Sequence, residues 1–223
     1  MKRFAFGLTT AALLAGTSAS QAAEIYSMDF STPGQGSTHD SVGDGFESSP
    51  VAGANWELTF GSLLSDTTTN SFITVAPGIM LVDDWGGTGT VTSDSIAITD
   101  DGTVDILGVA VASGSDIFNS SSENITWFYQ INAEPLVEVV LSEATLADGN
   151  VDDGEDLGTS FNDIAVEAGD TLLVGFSVTI NGGNDAVEIS SLTVDFVPEP
   201  SSLALLGLGG LLIARRRRAW NGT

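Results

Sequence analysis

Alternation of apolar and polar side chains is the pattern that most restricts how this chain can fold. Apolar residues occupy every second position from Leu172 to Ile180, and the same pattern runs from Ile125 to Ile131. A period of two places successive side chains on opposite faces of an extended strand, so each segment predicts a half-buried β-strand. Between residues 24 and 197 no window of twelve residues shows the 3.6-residue period of an amphipathic helix. We therefore expect an all-β domain.

Short apolar runs between Gly, Asp, Asn and Ser turns predict further strands along the chain. They lie at residues 25–30, 55–60, 71–75, 79–82, 94–99, 103–112, 136–143, 163–166 and 186–196. Asp100-Asp101-Gly102 predicts a hairpin between two of them, because glycine accepts the positive φ of a tight turn. In the last run the apolar phase changes across Ser190-Ser191, which predicts a β-bulge. This many short strands favour an antiparallel two-sheet β-sandwich of jelly-roll-like type.

The charge is divided between the ends of the chain and its body. The six basic residues are Lys2, Arg3, Arg215, Arg216, Arg217 and Arg218. All 30 acidic residues lie between these two groups, and all but Glu199 fall within residues 24–198, which therefore carry 29 acids and no Lys or Arg. Binding to nucleic acid draws its affinity from Lys and Arg on phosphates, which excludes that role for the body. The absence of Cys also removes disulfides and zinc–thiolate sites.

The amino terminus has the three regions of an export signal. Lys2 and Arg3 precede an apolar stretch at residues 4–15, and small residues follow as far as Ala23. This order is typical of a secretory signal peptide. We interpret residues 1–23 as a signal peptide that a signal peptidase removes after Ala22 or Ala23.

The carboxyl terminus combines a Pro-Glu-Pro sequence, a short apolar segment and an arginine run. Pro198, Glu199 and Pro200 precede the apolar residues 203–214, and the four arginines follow. Twelve helical residues span about 18 Å, short of the ~30 Å hydrocarbon core of a bilayer. The positive-inside rule keeps the arginines cytoplasmic and the body outside. We expect a short hydrophobic sorting helix that inserts transiently into the inner membrane, and a plain single-span anchor is the alternative.

This tail resembles the PEP-CTERM sorting signal of exported bacterial proteins. The resemblance rests on Pro198-Glu199-Pro200, on the apolar residues 203–214 and on the basic run 215–218, although residues 219–223 extend beyond the usual end. It implies processing by an exosortase, a membrane transpeptidase-like enzyme. It also implies delivery to the cell envelope, the cell surface or extracellular polysaccharide. The expected organisation is a signal peptide at 1–23, an acidic β-sandwich at 24–196 and a sorting tail at 197–223.

Calcium is the cofactor that an acidic, Cys-free body favours, because Ca²⁺ takes six to eight oxygen ligands. The densest set of candidate ligands is Asp148, Asn150, Asp152, Asp153, Glu155 and Asp156. Gly154 comes one position late for an EF-hand loop, so an irregular calcium loop and a solvated acidic turn both stay open. Residues 164–174 and 181–185 resemble the closing strands of bacterial extracellular jelly-roll modules. Such modules often hold a structural calcium between their first and last strands, which implies Asp29 and Asp195 as a further pair.

Binding finds more support in the sequence than catalysis. Any Ser-His-Asp triad must use His39, which lies in a Gly- and Ser-rich segment without a nucleophile turn. Trp85, in a turn-like Asp-Asp-Trp-Gly-Gly sequence, is the candidate for stacking on a sugar ring. Trp127 lies on an alternating apolar face, and we expect it to be buried in the core. We expect a non-enzymatic exported surface or matrix protein. The alternative is a carbohydrate-binding module of the envelope or exopolysaccharide.

Overall fold

The computed structural model shows an antiparallel β-sandwich. It describes residues 21–28, 30, 55–60, 72–76, 78–83, 86–114, 118, 122–142, 144–146, 151, 153–181 and 185–199. The strands in these residues are β1 (Ala23–Met28), β2 (Trp56–Phe60), β3 (Phe72–Ala76), β4 (Ile79–Asp83), β5 (Gly86–Ser93), β6 (Ile96–Ala97), β7 (Gly102–Gly114), β8 (Asn124–Ile131), β9 (Val137–Leu141), β10 (Thr159–Val166), β11 (Thr171–Asn181) and β12 (Asp185–Pro198). Residues 22–199 form one compact unit.

Each of the two sheets is built around one long strand. Sheet A has the order β10-β7-β12-β4-β3. Its central strand β12 pairs with β7 along one edge, and with β4 and then β1 along the other. Sheet B has the order β2-β5-β11-β8-β9, and β6 pairs with the start of β11. All of these pairs are antiparallel, which confirms the predicted two-sheet sandwich.

The core lies between the sheets and is centred on Trp127 of β8. The side chain is fully buried, and its ring centroid lies 5.2 Å from that of Phe176 on β11. The indole Nε1 donates a hydrogen bond of 2.8 Å to the carbonyl oxygen of Leu157. The six-membered ring lies against Gly108 of β7, where an added Cβ would come within 2.5 Å of Trp127 Cζ3. Trp127 therefore packs sheet B against sheet A and is hydrogen-bonded to Leu157, whose own amide donates to Ala110 of β7, which confirms the predicted core position.

The apolar phase change in the last strand is a bulge, as predicted. The register of β12 against β7 shifts between Ile189 and Ser191. Val187 and Ile189 are buried before the shift, and Leu192 and Val194 are buried after it. The bulge thus keeps both halves of β12 facing the same core.

The predicted hairpin at Asp100-Asp101-Gly102 is wrong. The preceding strand β6 pairs with β11 in sheet B, whereas β7 pairs with β10 and β12 in sheet A. The turn therefore carries the chain from one sheet to the other. Turn residues permit a sharp reversal, but they do not determine whether the next strand returns to the same sheet.

Strand β5 is absent from the sequence-based expectations, because Gly86, Gly87 and Gly89 lower its β-propensity. Gly87 and Gly89 are buried and lie opposite Ile180 and Val178 of β11. The neighbouring strand supplies the larger buried side chains at these positions.

The predicted signal peptide, except for its last three residues, and the predicted sorting helix at 203–214 lie outside the described residues. Within the described part of the chain, no helix has the length and apolar character needed to cross a bilayer.

Candidate functional site

One end of the sandwich collects polar residues from five strand termini. Strands β7 and β11 begin there, and β8, β10 and β12 end there. The acidic and amide residues at these termini are Asp101, Asn132, Glu167, Asp170 and Glu199. The sorting tail continues from this end, because Glu199 directly follows β12. We refer to it as the exit end.

A carboxylate and a carbonyl of Asp101 hold two chain segments at the exit end. The Ala168 backbone amide donates a hydrogen bond of 2.9 Å to Asp101 Oδ1. The Glu199 backbone amide donates one of 3.1 Å to the Asp101 carbonyl oxygen. Asp101 thus ties the turn after β10 and the residue after β12 to the start of β7.

Asn132 and Asp170 form a second link, between β8 and β11. Asn132 has a positive φ of 54°, its Nδ2 donates 2.8 Å to Asp170 Oδ1, and its Oδ1 accepts the Thr171 amide at 3.0 Å. The Asp170 Oδ2 accepts the Glu167 amide at 2.8 Å. The bonds from the Asn132 side chain and from the Glu167 amide lower the pKa of Asp170 below its ordinary value. Asp170 therefore stays ionised at neutral pH.

These residues line an open cleft of about 660 Å³. Its walls carry the five carboxylates of Asp101, Glu134, Glu167, Asp170 and Glu199, together with Ile131, Asn132 and Val166. Since residues 24–198 contain no Lys or Arg, no basic side chain of the body balances this charge. The exit end is therefore strongly negative, and it suits cationic or hydrogen-bond-donating partners better than anionic ones.

The first residues of the sorting motif belong to the sandwich. Pro198 is the last residue of β12 and pairs with Gly102 of β7, and Glu199 is exposed. Strand β12 thus extends two residues past the predicted boundary at 196. Pro200 and the four arginines at 215–218 lie outside the described residues.

The acidic segment predicted to bind calcium lies, in its described part, along the edge of sheet A. Ala112 of β7 donates 2.9 Å to the Glu155 carbonyl oxygen and accepts 2.8 Å from the Gly154 amide. Asp156 Oδ1 accepts the Gly158 amide at 2.8 Å. Asp153 and Asp156 are exposed, whereas Asp148, Asn150 and Asp152 lie outside the described residues. Among the residues that the structure describes, no three acidic or histidine side chains are grouped to hold a metal ion, and calcium binding stays a prediction.

Asp195 lies in a transverse row of carboxylates on sheet A. It pairs with Glu24 of β1 on one side and with Asp105 of β7 on the other. Its neighbours along β12, Val194 and Phe196, are buried, so Asp195 is on the outer face. The Asp105 carboxylate accepts the Asp163 amide at 2.7 Å. Like charges directly opposite each other destabilise a strand pair. Asp29, the predicted partner of Asp195, lies outside the described residues.

Hydroxyl groups cover the outer face of sheet B. One row runs directly across four strands and consists of Thr59, Thr90, Ser177 and Thr126. In a second row the Oγ1 atoms of Thr88 and Thr179 are 2.8 Å apart. Phe176 and Val178, the neighbours of Ser177 along β11, are buried, so the hydroxyls face outward. Trp85 and His39, the predicted glycan and triad candidates, lie outside the described residues.

Sequence patterns identified Glu199 as part of the sorting motif but missed the other residues of the exit end, although their positions contained a signal. Asp101 and Asp170 lie two residues before the predicted strands at 103–112 and 172–180, and Asn132 directly follows the predicted strand at 125–131. In an antiparallel fold the starts of some strands and the ends of others share one end of the sandwich. The sequence does not reveal which strands share it until the strand pairing is known.

Comparison with known proteins identifies the tail. Residues 196–218 match the model of the PEP-CTERM protein-sorting motif. The chain therefore carries the sorting tail of exported, exosortase-sorted proteins, as the sequence predicted. No curated protein sequence matches the chain.

Several solved β-structures are similar to the fold at low identity. TmCBM61 in complex with beta-1,4-galactotriose is 10% identical, with a TM-score of 0.43 over 62% of this chain and 86% of that chain. The xylan-binding module CBM15 is 18% identical, with a TM-score of 0.40 over 66% and 94%. The CBM22-1 xylan-binding domain of Xyn10C from Paenibacillus barcinonensis is 12% identical, with a TM-score of 0.34 over 79% and 96%. These similarities concern fold alone.

Proposed function

We propose that this protein is a non-enzymatic component of the cell surface or extracellular matrix, and that an exosortase-type enzyme removes its tail after export. The observation that carries the proposal is the sorting-motif match at residues 196–218. In the proposed route a signal peptidase removes residues 1–23, and the tail holds the protein at the inner membrane until it is processed.

The chemistry of the body supports a non-enzymatic role. The chain contains one His and no Cys, which leaves few groups for nucleophilic catalysis near neutral pH. A body with 29 acids and no Lys or Arg is highly hydrated and repels other copies of itself at low salt. Extracellular divalent ions would screen this charge, and calcium remains the cation that we expect to bind.

The experiment compares a strain that contains an exosortase with an isogenic deletion strain. The full chain carries an epitope within the body, and cell fractions are probed by immunoblot. In the strain with the exosortase we expect a shortened chain at the cell surface or in the medium. In the deletion strain we expect a chain that retains its tail and stays at the inner membrane. An identical distribution in the two strains would contradict the proposed route.

Polysaccharide binding is the second candidate function, and the hydroxyl-covered face of sheet B favours it. Threonine and serine hydroxyls both donate and accept hydrogen bonds, as sugar hydroxyls do. Replacing Thr90 and Thr126 with Val removes two of these hydroxyls while keeping β-branched side chains. A pull-down with polysaccharide of the producing strain should lose binding in this double variant. Thr193→Val on sheet A is the matched control. Equal retention of the natural protein, the double variant and this control would rule out polysaccharide binding by the outer face of sheet B.

A further inference from the structure

The sorting segment begins inside the sandwich. The matched region starts at residue 196, and Phe196, Val197 and Pro198 are the last residues of β12. Their partners on β7 are Val104, Thr103 and Gly102. Phe196 also pairs with Ala23 of β1, whereas Val197 and Pro198 pair with β7 alone, so the start of the motif belongs to a sheet instead of forming a free linker.

Side-chain packing, in addition to strand pairing, holds residues 196–198 in place. Phe196 is 9% exposed and belongs to the core. At Gly102 an added Cβ would collide with the Val197 carbonyl oxygen and come within 2.9 Å of the Phe196 ring, so the strands touch closely here. The hydrogen bond from the Glu199 amide to the Asp101 carbonyl extends the attachment one residue beyond the strand.

We propose that the folded sandwich holds residues 196–199 against β7 and so limits the rate at which the processing enzyme reaches the Pro198-Glu199-Pro200 motif. The proposal rests on the proposed sorting function and adds a control on it. Processing then requires the end of β12 to detach locally, while the rest of the sandwich stays folded.

The physical reason is access to the backbone. An enzyme that cleaves a peptide must surround several extended residues, and pairing with β7 leaves one side of residues 196–198 unavailable to it. Strand ends open locally at low free-energy cost. The observed processing rate is then the rate for an open strand end multiplied by the fraction of molecules in which that end is open. Pro198 has no amide hydrogen to donate to the ladder, which weakens the pairing at the first residue of the motif.

The chemical step itself is that of the proposed enzyme. An enzyme nucleophile attacks a backbone carbonyl carbon, the C–N bond breaks, and the released amine of the tail takes a proton. Water or an acceptor amine then attacks the acyl–enzyme bond and frees the nucleophile. The fold controls how often a chain reaches this step, but it does not change the bonds that form and break.

The test moves the motif away from the fold without altering β12. The sequence Gly-Ser-Gly-Ser-Gly-Ser-Val-Pro-Glu is inserted between Glu199 and Pro200, so that the native strand end through Glu199 remains and the one Pro-Glu-Pro sequence, which now ends at Pro200, follows a flexible linker. The control carries the same nine residues after Thr223. Pulse–chase labelling in a strain that contains an exosortase measures how fast each full chain is shortened.

We expect the displaced motif to be processed at least about tenfold faster than the natural chain, a factor equivalent to about 1.4 kcal/mol. The control should match the natural chain. Equal rates for displaced and natural motifs would overturn the proposal while leaving the sorting function intact. Absence of shortening in every chain would instead contradict the sorting function, and the proposal with it.

Two glycine substitutions test whether the effect is local. Gly102→Ala pushes against Val197 and Phe196 and should raise the processing rate several-fold. Gly108→Ala collides with Trp127 instead, so it strains the sandwich without contacting residues 196–199. We expect it to change the rate less than about twofold. Equal acceleration by the two variants would show that global unfolding controls access, and would overturn the local mechanism.

Discussion

Replacing Trp127 with Phe tests the link between the two sheets. The substitution removes the 2.8 Å hydrogen bond to the Leu157 carbonyl, and a buried carbonyl that loses its partner costs about 1–3 kcal/mol. It also removes roughly 40 Å³ of side chain, which at about 24 cal/mol per Å³ adds about 1 kcal/mol. We expect the free energy of unfolding to fall by about 2–4 kcal/mol in urea titrations followed by circular dichroism, with an unchanged m-value.

Phe176→Leu is the matched control, because Phe176 contacts Trp127 and is 1% exposed. It trims the same cluster without removing the hydrogen bond, and it should cost about 1 kcal/mol. If Trp127→Phe destabilises the protein no more than this control, the hydrogen bond to Leu157 does not contribute as argued.

Three further predictions concern charge. The pKa of Asp170 lies below its ordinary 3.8 in the folded state, so its contribution to stability is present above the ordinary pKa and is lost as the pH falls towards the lower folded value. Asp170→Asn should therefore reduce the fall in melting temperature on acidification below the ordinary pKa, and an unchanged slope of melting temperature against pH would contradict the role of Asn132. Asp195→Asn should raise the melting temperature by about 1–3 °C at low salt by relieving repulsion from Glu24 and Asp105, and the gain should vanish near 1 M salt, where the Debye length is about 3 Å. Saturating calcium should raise the melting temperature relative to chelator by calorimetry, and identical melts would remove the calcium hypothesis.

The sequence predicted those parts of the fold where each strand carries its own pattern. Strands β8 and β11 follow from alternation, and the bulge after Ile189 follows from the shift in phase. Strand β5 does not, because its buried positions are glycines that are complemented by Ile180 and Val178 of the next strand. The turn at Asp100-Asp101-Gly102 was misassigned because the choice between sheets depends on long-range pairing rather than on local turn chemistry.

For the candidate site, the sequence predicted the tail but not its attachment. Pro198-Glu199-Pro200 is recognisable from residue order alone. In the structure Pro198 is the last residue of β12 and pairs with Gly102 of β7, and the Glu199 amide is hydrogen-bonded to the Asp101 carbonyl. This attachment depends on which strand lies beside β12, and a local reading of the tail contains no information about that neighbour.

The central claim is that the tail is a sorting signal which is removed after export. The direct test is mass spectrometry of the intact protein recovered from the cell surface or medium of the producing bacterium. The account predicts a mature chain that begins at Ala23 or Glu24, retains β12 and lacks the arginines at 215–218. A surface-exposed chain that still ends with Arg215, Arg216, Arg217 and Arg218 would contradict it.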